Sequence, residues 1–204
     1  MAIIQPPVPI PMRRTQWRRK RAQQKNRSGW TGTSQIVRLP QASIWTVSGE
    51  FPPIIKEENS LEWQAFFEAV DGMANSFPVL MCESQQTSAA NVQVNGGGQT
   101  GSSVALKGLT GAIGSKFLLK GQKISIPLPN DDVQLEVLQQ DITVLSGGVG
   151  TALFAGTLRK SPIDSATVEV QWPYALMSMT SPETGFDVNT GQNYGFAFEA
   201  EEAF

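Results

Sequence analysis

The sequence predicts a mainly β chain with a single helix and a small sandwich or barrel in its second half, and three observations carry that expectation. Short apolar runs separated by glycine-rich turns fill the chain from Val104 onward. Only one stretch, from Asn59 to Asp71, repeats apolar residues at helical spacing. The polar segment ESQQTSAANVQVNGGGQTGSS, beginning at Glu83, marks a change of composition and hence a boundary.

Taken in order, residues 1–12 hold four prolines, which fix φ and withdraw backbone donors, so this stretch is expected to be an extended arm and not a core element. TQWRRKRAQQKNRSGWTGT follows and ends in turn residues; Gln35 to Phe51 reads as two strands, alternating most clearly around Ile44–Gly49. Asn59 with Glu62 suits a capping box, and Leu61, Ala65 and Val70 with Trp63, Phe66, Phe67 and Met73 recur at helical spacing, predicting a helix over 60–71 stopped by Asp71-Gly72. Phe77–Met81 reads as a buried strand. Strand-like runs then recur at 104–106, 117–119, 123–127, 133–138, 142–145, 153–154 and 167–170. A strand near Tyr174–Met179, a turn at Pro182–Gly185 and a final alternating strand over Tyr194–Ala200 complete the chain.

Composition narrows the function classes. The 204 residues make one full domain or two small ones, with charge (17%) and hydrophobicity (40%) near globular values. Histidine is absent, which removes Ser-His-Asp and Cys-His relays and histidine-held metal; the lone Cys82 removes an intrachain disulfide and any CxxC pair. An enzyme is therefore not expected, and no cofactor or metal is implied. No run of 18 apolar residues exists to span a membrane as a helix, and MAIIQPPVPIPMRR places its apolar part before its charges, the reverse of a secretory signal. GGGQTG at 96–101 satisfies G-x-G-x-x-G literally, but the glycines at 108, 111 and 114 interrupt any following helix, so a flexible loop is expected. Asp131-Asp132 reads as a turn after Pro129-Asn130, and Cys82 as a small buried hydrophobe.

Charge is divided unevenly. Residues 1–49 hold nine Lys or Arg and no acid, whereas the remainder, with seven basic and eighteen acidic residues, carries −11. Such a segment serves an anionic partner or the acidic face of a neighbouring copy. Its mixture of guanidinium groups with Trp17 and Trp30 would also suit nucleic acid, although no nucleic-acid motif accompanies it.

VNGGGQTGSS (94–103), LLKGQKISI (118–126), LRKSPIDSATV (158–168) and the closing FDVNTGQNYGFAFEAEEA (186–203), preceded by SIWTVSGEFPPI and EWQAFFEAVDG, occur in an order that resembles the distal tail proteins of long-tailed bacteriophages. The resemblance covers about residues 35–204; Phe186 stands where tryptophan is usual, and the basic start is unusual. It implies a β-sandwich ring domain with one helix, over 35–82 and 166–204, and an inserted peripheral β domain over 83–165, an OB-like barrel or a galectin-like sandwich. It further implies a structural virion protein: a ring, usually of six copies, joining tail tube to tip or baseplate hub. The tape measure protein is then a further neighbour, DNA only passes through the lumen, and assembly takes place in the host cytoplasm. On this reading the 1–34 arm reaches a neighbouring copy, Trp17 and Trp30 anchor it, and Arg13, Arg14, Arg18, Arg19 and Arg21 meet acids such as Glu199, Glu201 and Glu202. A nucleic-acid-binding protein acting through the arm and a carbohydrate-binding module are the alternatives; Phe117 and Phe154 of the insert and Trp172 just beyond it are few and read as internal, against a sugar platform.

Overall fold

A computed structural model of the chain describes residues 1–89 and 91–204, with the side chains of residues 40–42 outside the description. The chain is mainly β. Its elements are β1 (Arg14–Arg27), β2 (Ser34–Glu50), β3 (Ile54–Ile55), α1 (Glu57–Val70), β4 (Phe77–Leu80), β5 (Gln93–Val94), β6 (Ser103–Lys107), β7 (Lys116–Leu118), β8 (Lys123–Pro127), β9 (Val133–Val137), β10 (Ile142–Thr143), β11 (Val149–Leu153), β12 (Tyr174–Met179), β13 (Phe186–Val188) and β14 (Asn193–Glu202).

The largest sheet runs β1-β2-β14-β12-β4, with β3 and β13 also pairing to β14. Every pair is antiparallel, which leaves β1 and β4 as its edges. The remaining strands form β11-β6-β5, β8-β9 and β10-β7.

Strand alternation sorts the large sheet into two faces. One buries Trp45 and Val47 of β2, Phe196, Phe198 and Ala200 of β14, and Phe77 and Val79 of β4. Helix α1 covers this face with Trp63, Phe66, Phe67 and Val70, while Glu57 and Glu58 in its first turn favour the positive end of the helix dipole. Phe51 lies among these rings, with Trp63 edge-on at 4.8 Å and Phe67, Phe196 and Phe198 about it; such contacts contribute roughly 0.5–1.5 kcal/mol each beyond burial. A second apolar cluster gathers buried residues between Ala89 and Val170, including Val104, Leu106, Ile124, Ile126 and Ile142.

Several expectations hold: Phe77–Leu80 and Tyr174–Met179 are strands, and Asp71 ends the helix in a left-handed conformation, its N–H bonded to the Glu68 carbonyl at 3.2 Å. Others are corrected. The helix begins at Glu57, and its N-terminal residue Lys56 makes no capping bond; the Asn59 amide instead donates to the Ile55 carbonyl at 2.8 Å. Leu61 and Met73 are exposed, because the helix needs only its Trp63/Phe66/Phe67/Val70 stripe to cover the sheet. The stretch read as two strands is one strand, Ser34–Glu50, paired with β1 over Ser34–Arg38 and again over Ser43–Glu50 on either side of a bulge. The proline-rich start is not a free arm: the Ile4 N–H bonds the Ser76 carbonyl at 2.8 Å, and Ile4, Ile10 and Met12 pack against the aromatic core. Trp172 is 40% exposed and not internal, whereas Phe154 is buried.

Candidate functional site

The most distinctive feature of the molecule is the hairpin made by β1 and β2. Its register runs from Arg14 opposite Glu50 to Arg27 opposite Ser34, with a bulge between Arg21 and Gln23. The tip is a tight turn: the Ser28 hydroxyl accepts from the N–H groups of Trp30 (3.3 Å) and Thr31 (3.2 Å), and Gly32 supplies the positive φ of 69°.

The root of the hairpin is bound into the body by a buried polar network. On the inner face Trp17 meets Trp45 edge-on at 6.3 Å, and the Arg19 guanidinium lies over the Trp45 ring at 5.2 Å. Arg19 also forks onto Glu136 of β9, at 2.7 and 2.5 Å, and donates to the Ser43 hydroxyl at 3.2 Å. Arg159 makes a second fork onto Glu202 of β14, at 3.0 and 2.6 Å, and donates to the Ser43 carbonyl at 2.8 Å. Glu202 accepts in addition from the Trp45 N–H at 3.0 Å, while the Trp45 indole donates to the Leu135 carbonyl at 3.0 Å. Gln134 joins the two forks, donating to Glu136 (2.9 Å) and accepting from the Arg159 N–H (2.9 Å).

Three of the expected interface residues make their contacts within the chain: Arg19 and Glu202 are paired with Glu136 and Arg159 at side-chain exposures of 10% and 1%, and Trp17 packs, partly buried, against the aromatic core. Arg159, Glu136 and Gln134 carry no local sequence signal, because the contacts from Glu136 to Arg19, Arg159 to Glu202 and Gln134 to Arg159 span 117, 43 and 25 residues; only the folded chain reveals them.

The outer face of the root keeps Arg14, Arg18 and Glu199 exposed and Glu201 half-buried. Arg14, Arg18 and Lys20 of β1 lie in line with Glu50, Thr46 and Ile44 of β2, and Ser48 and Thr46 in turn face Glu199 and Glu201 of β14. The cations of β1 and carboxylates of β14 thus share a face two strands apart, about 10 Å at the usual strand spacing, and among the described residues no ion pair joins them. Arg13 is exposed just before β1, its N–H bonded to the Glu50 carbonyl at 2.9 Å, and Arg21 is exposed beside the bulge.

Beyond Arg21 the hairpin has no core. Residues 23–39 are all exposed, and the strand projects about 20 Å at 3.4 Å per residue. Opposed residues share a face, so Gln23 and Arg38, Lys25 and Ile36, and Arg27 and Ser34 form a cationic row, while Gln24, Val37, Leu39, Asn26 and Gln35 form an uncharged one. Trp30 at the tip is 97% exposed. Among the described residues, none of the cations from Lys20 to Arg38 is in an ion pair.

The remaining candidate motifs are structural. GGGQTG leads into strand β6, not a helix: the Gly96 N–H donates to Asp164 at 2.8 Å and the Gln99 side chain bonds the Ala105 N–H at 2.7 Å, so the loop is tied down rather than free. The Asp164 carboxyl is held below the usual carboxylate range by that Gly96 N–H first and by Lys107 second. Asn130 and Asp131 adopt the positive φ of a tight turn, and Asp132 pairs with Lys160. Cys82 is half-buried, and burial pushes its thiol up. Among the described residues no cluster of acids and thiol could hold a metal ion, and no helix is long and apolar enough to cross a membrane. No protein-family model matches the chain, and no curated protein matches it significantly.

Proposed function

We propose that the protein is a structural component of a bacteriophage tail, assembling into a ring, of six copies by its resemblance, that joins the tail tube to the tip or baseplate hub and leaves a channel for DNA. One observation carries this reading. The outer half of the β1–β2 hairpin is a regular, long ribbon with no layer of its own chain against it, it concentrates unpaired cations, and the body from which it projects is acidic. A ribbon with an exposed tryptophan, Ile36, Val37 and Leu39 is stabilised when another surface covers it, and the body's excess of carboxylates makes a second copy a suitable one. Two unlike patches on one molecule give head-to-tail contacts, which close into a ring when the rotation per copy completes a circle.

In this reading β2, β14, β12 and β4 with α1, over 35–82 and 166–204, belong to the sandwich of the ring domain, β1 lies in the 1–34 arm, and 83–165 is the peripheral barrel-like insert. The tail tube, hub and tape measure proteins are the neighbouring partners, and the work of the chain is geometric. The test is the mass of the purified full chain by light scattering, beside a variant in which Gln23–Arg38 is replaced by Asn-Gly to close a short hairpin. A defined oligomer that falls to monomer in the shortened variant, with melting unchanged, supports the reading; a full chain that is monomeric at every concentration overturns it.

A further inference from the structure

Resting on that reading, we propose that the cationic row of one copy's hairpin docks on the outer face of α1 in a second copy. The row consists of Lys25, Arg27 and Arg38, with Ile36 as its one large apolar residue. The outer face of α1 presents Glu58, Glu62 and Glu68, with Leu61, 52% exposed, as its one large apolar residue. No Lys or Arg occurs between Lys56 and Lys107, so α1 has no basic side chain of its own to neutralise it. Among the described residues no ion pair includes an acid of α1 or a cation of the distal hairpin, so both surfaces are left open by their own chain.

The spacings agree as well. Two residues along an antiparallel strand advance about 6.8 Å, the step from Lys25 to Arg27. Four residues along a helix advance about 6 Å, the step from Glu58 to Glu62. A ribbon laid along the helix therefore presents successive cations to successive carboxylates, and seats Ile36 beside Leu61. The bare outer face of β14 is the weaker match: Glu199 and Glu201 already share their face with Arg14, Arg18 and Lys20, whose field opposes an incoming cationic ribbon.

The experiment uses two full-length variants, Lys25→Glu/Arg27→Glu/Arg38→Glu and Glu58→Lys/Glu62→Lys/Glu68→Lys, alone and mixed, with mass read by light scattering. Each alone should assemble more than about tenfold more weakly than the wild type, and the mixture should recover assembly, because reversed charges meet again. A helix variant that assembles like the wild type overturns the inference and leaves the ring reading standing; a wild type that never assembles overturns both. Zero-length carbodiimide coupling of the wild-type chain supplies a second measurement should a variant fail to fold. An intermolecular link from Lys25 to Glu58, Glu62 or Glu68 is expected, and its absence from a chain that does assemble contradicts the docking. If instead the hairpin variant assembles normally but loses salt-sensitive retention of duplex DNA, the row serves a nucleic acid and the inference fails.

Discussion

Arg19 forks onto both carboxylate oxygens of Glu136, and through this contact the root of the hairpin is fastened to β9 in a part of the chain 117 residues away. Both side chains are nearly or fully buried, 10% and 0% exposed, so each needs the other. Replacing Arg19 by Ala strands the Glu136 carboxylate and should cost about 3–5 kcal/mol, read by urea unfolding. Arg19→Met with Glu136→Leu, which removes both charges, should recover most of that loss.

Trp30 sits at the opposite end of the same hairpin and touches solvent alone. Trp30→Ala should leave monomer stability within about 0.5 kcal/mol of the wild type in urea unfolding. Its effect should appear in assembly, as a weaker oligomer on sizing.

Gly49 faces the aromatic core where β2 meets β14. A Cβ there would lie 2.7 Å from the Phe198 ring, which is itself packed against Phe51, Phe67 and Phe77 and has no room to move. Gly49→Ala should therefore destabilise the fold by about 1–3 kcal/mol in thermal or urea melts.

Asp164 and Asp141 are both held below the usual carboxylate range, Asp164 chiefly by the Gly96 N–H and Asp141 chiefly by the Lys116 side chain. A depressed folded value means that each carboxylate stabilises the fold fully above its unfolded value of about 3.9, and that this contribution is lost as the pH falls through the folded value. Asp164→Asn should unfold at lower urea than the wild type at pH 6, and the gap should narrow as the pH falls below the unfolded value of about 3.9 and through the lowered folded one.

How much of this was legible in the sequence depends on the range of each interaction. The Trp63/Phe66/Phe67/Val70 stripe, the Asp71 stop and strands such as Phe77–Leu80 and Lys123–Pro127 are local patterns that the structure follows, whereas the 153–154 run is only the end of β11 and the 167–170 run forms isolated bridges at Thr167 and Glu169 rather than a strand. The hairpin was not legible as one. Residues 14–27 are rich in Arg, Lys and Gln, with little of the alternation that marks a strand, and they become a strand because β2 pairs with them along nearly their full length. For the same reason the basic segment divides: residues 1–12 strap the core, Trp17 and Arg19 enter it, and only the part beyond Arg21 stands free. The cations were visible from composition; which were already spent on Glu136 was not, since that pairing spans the whole fold.

Negative-stain imaging of the purified full chain tests the central claim most directly, because a closed assembly of copies is distinguished from separate molecules by its outline. The account predicts annular particles of uniform diameter with a central hole, lost when the hairpin is shortened. A field of single small particles, unchanged as protein concentration rises, would contradict it.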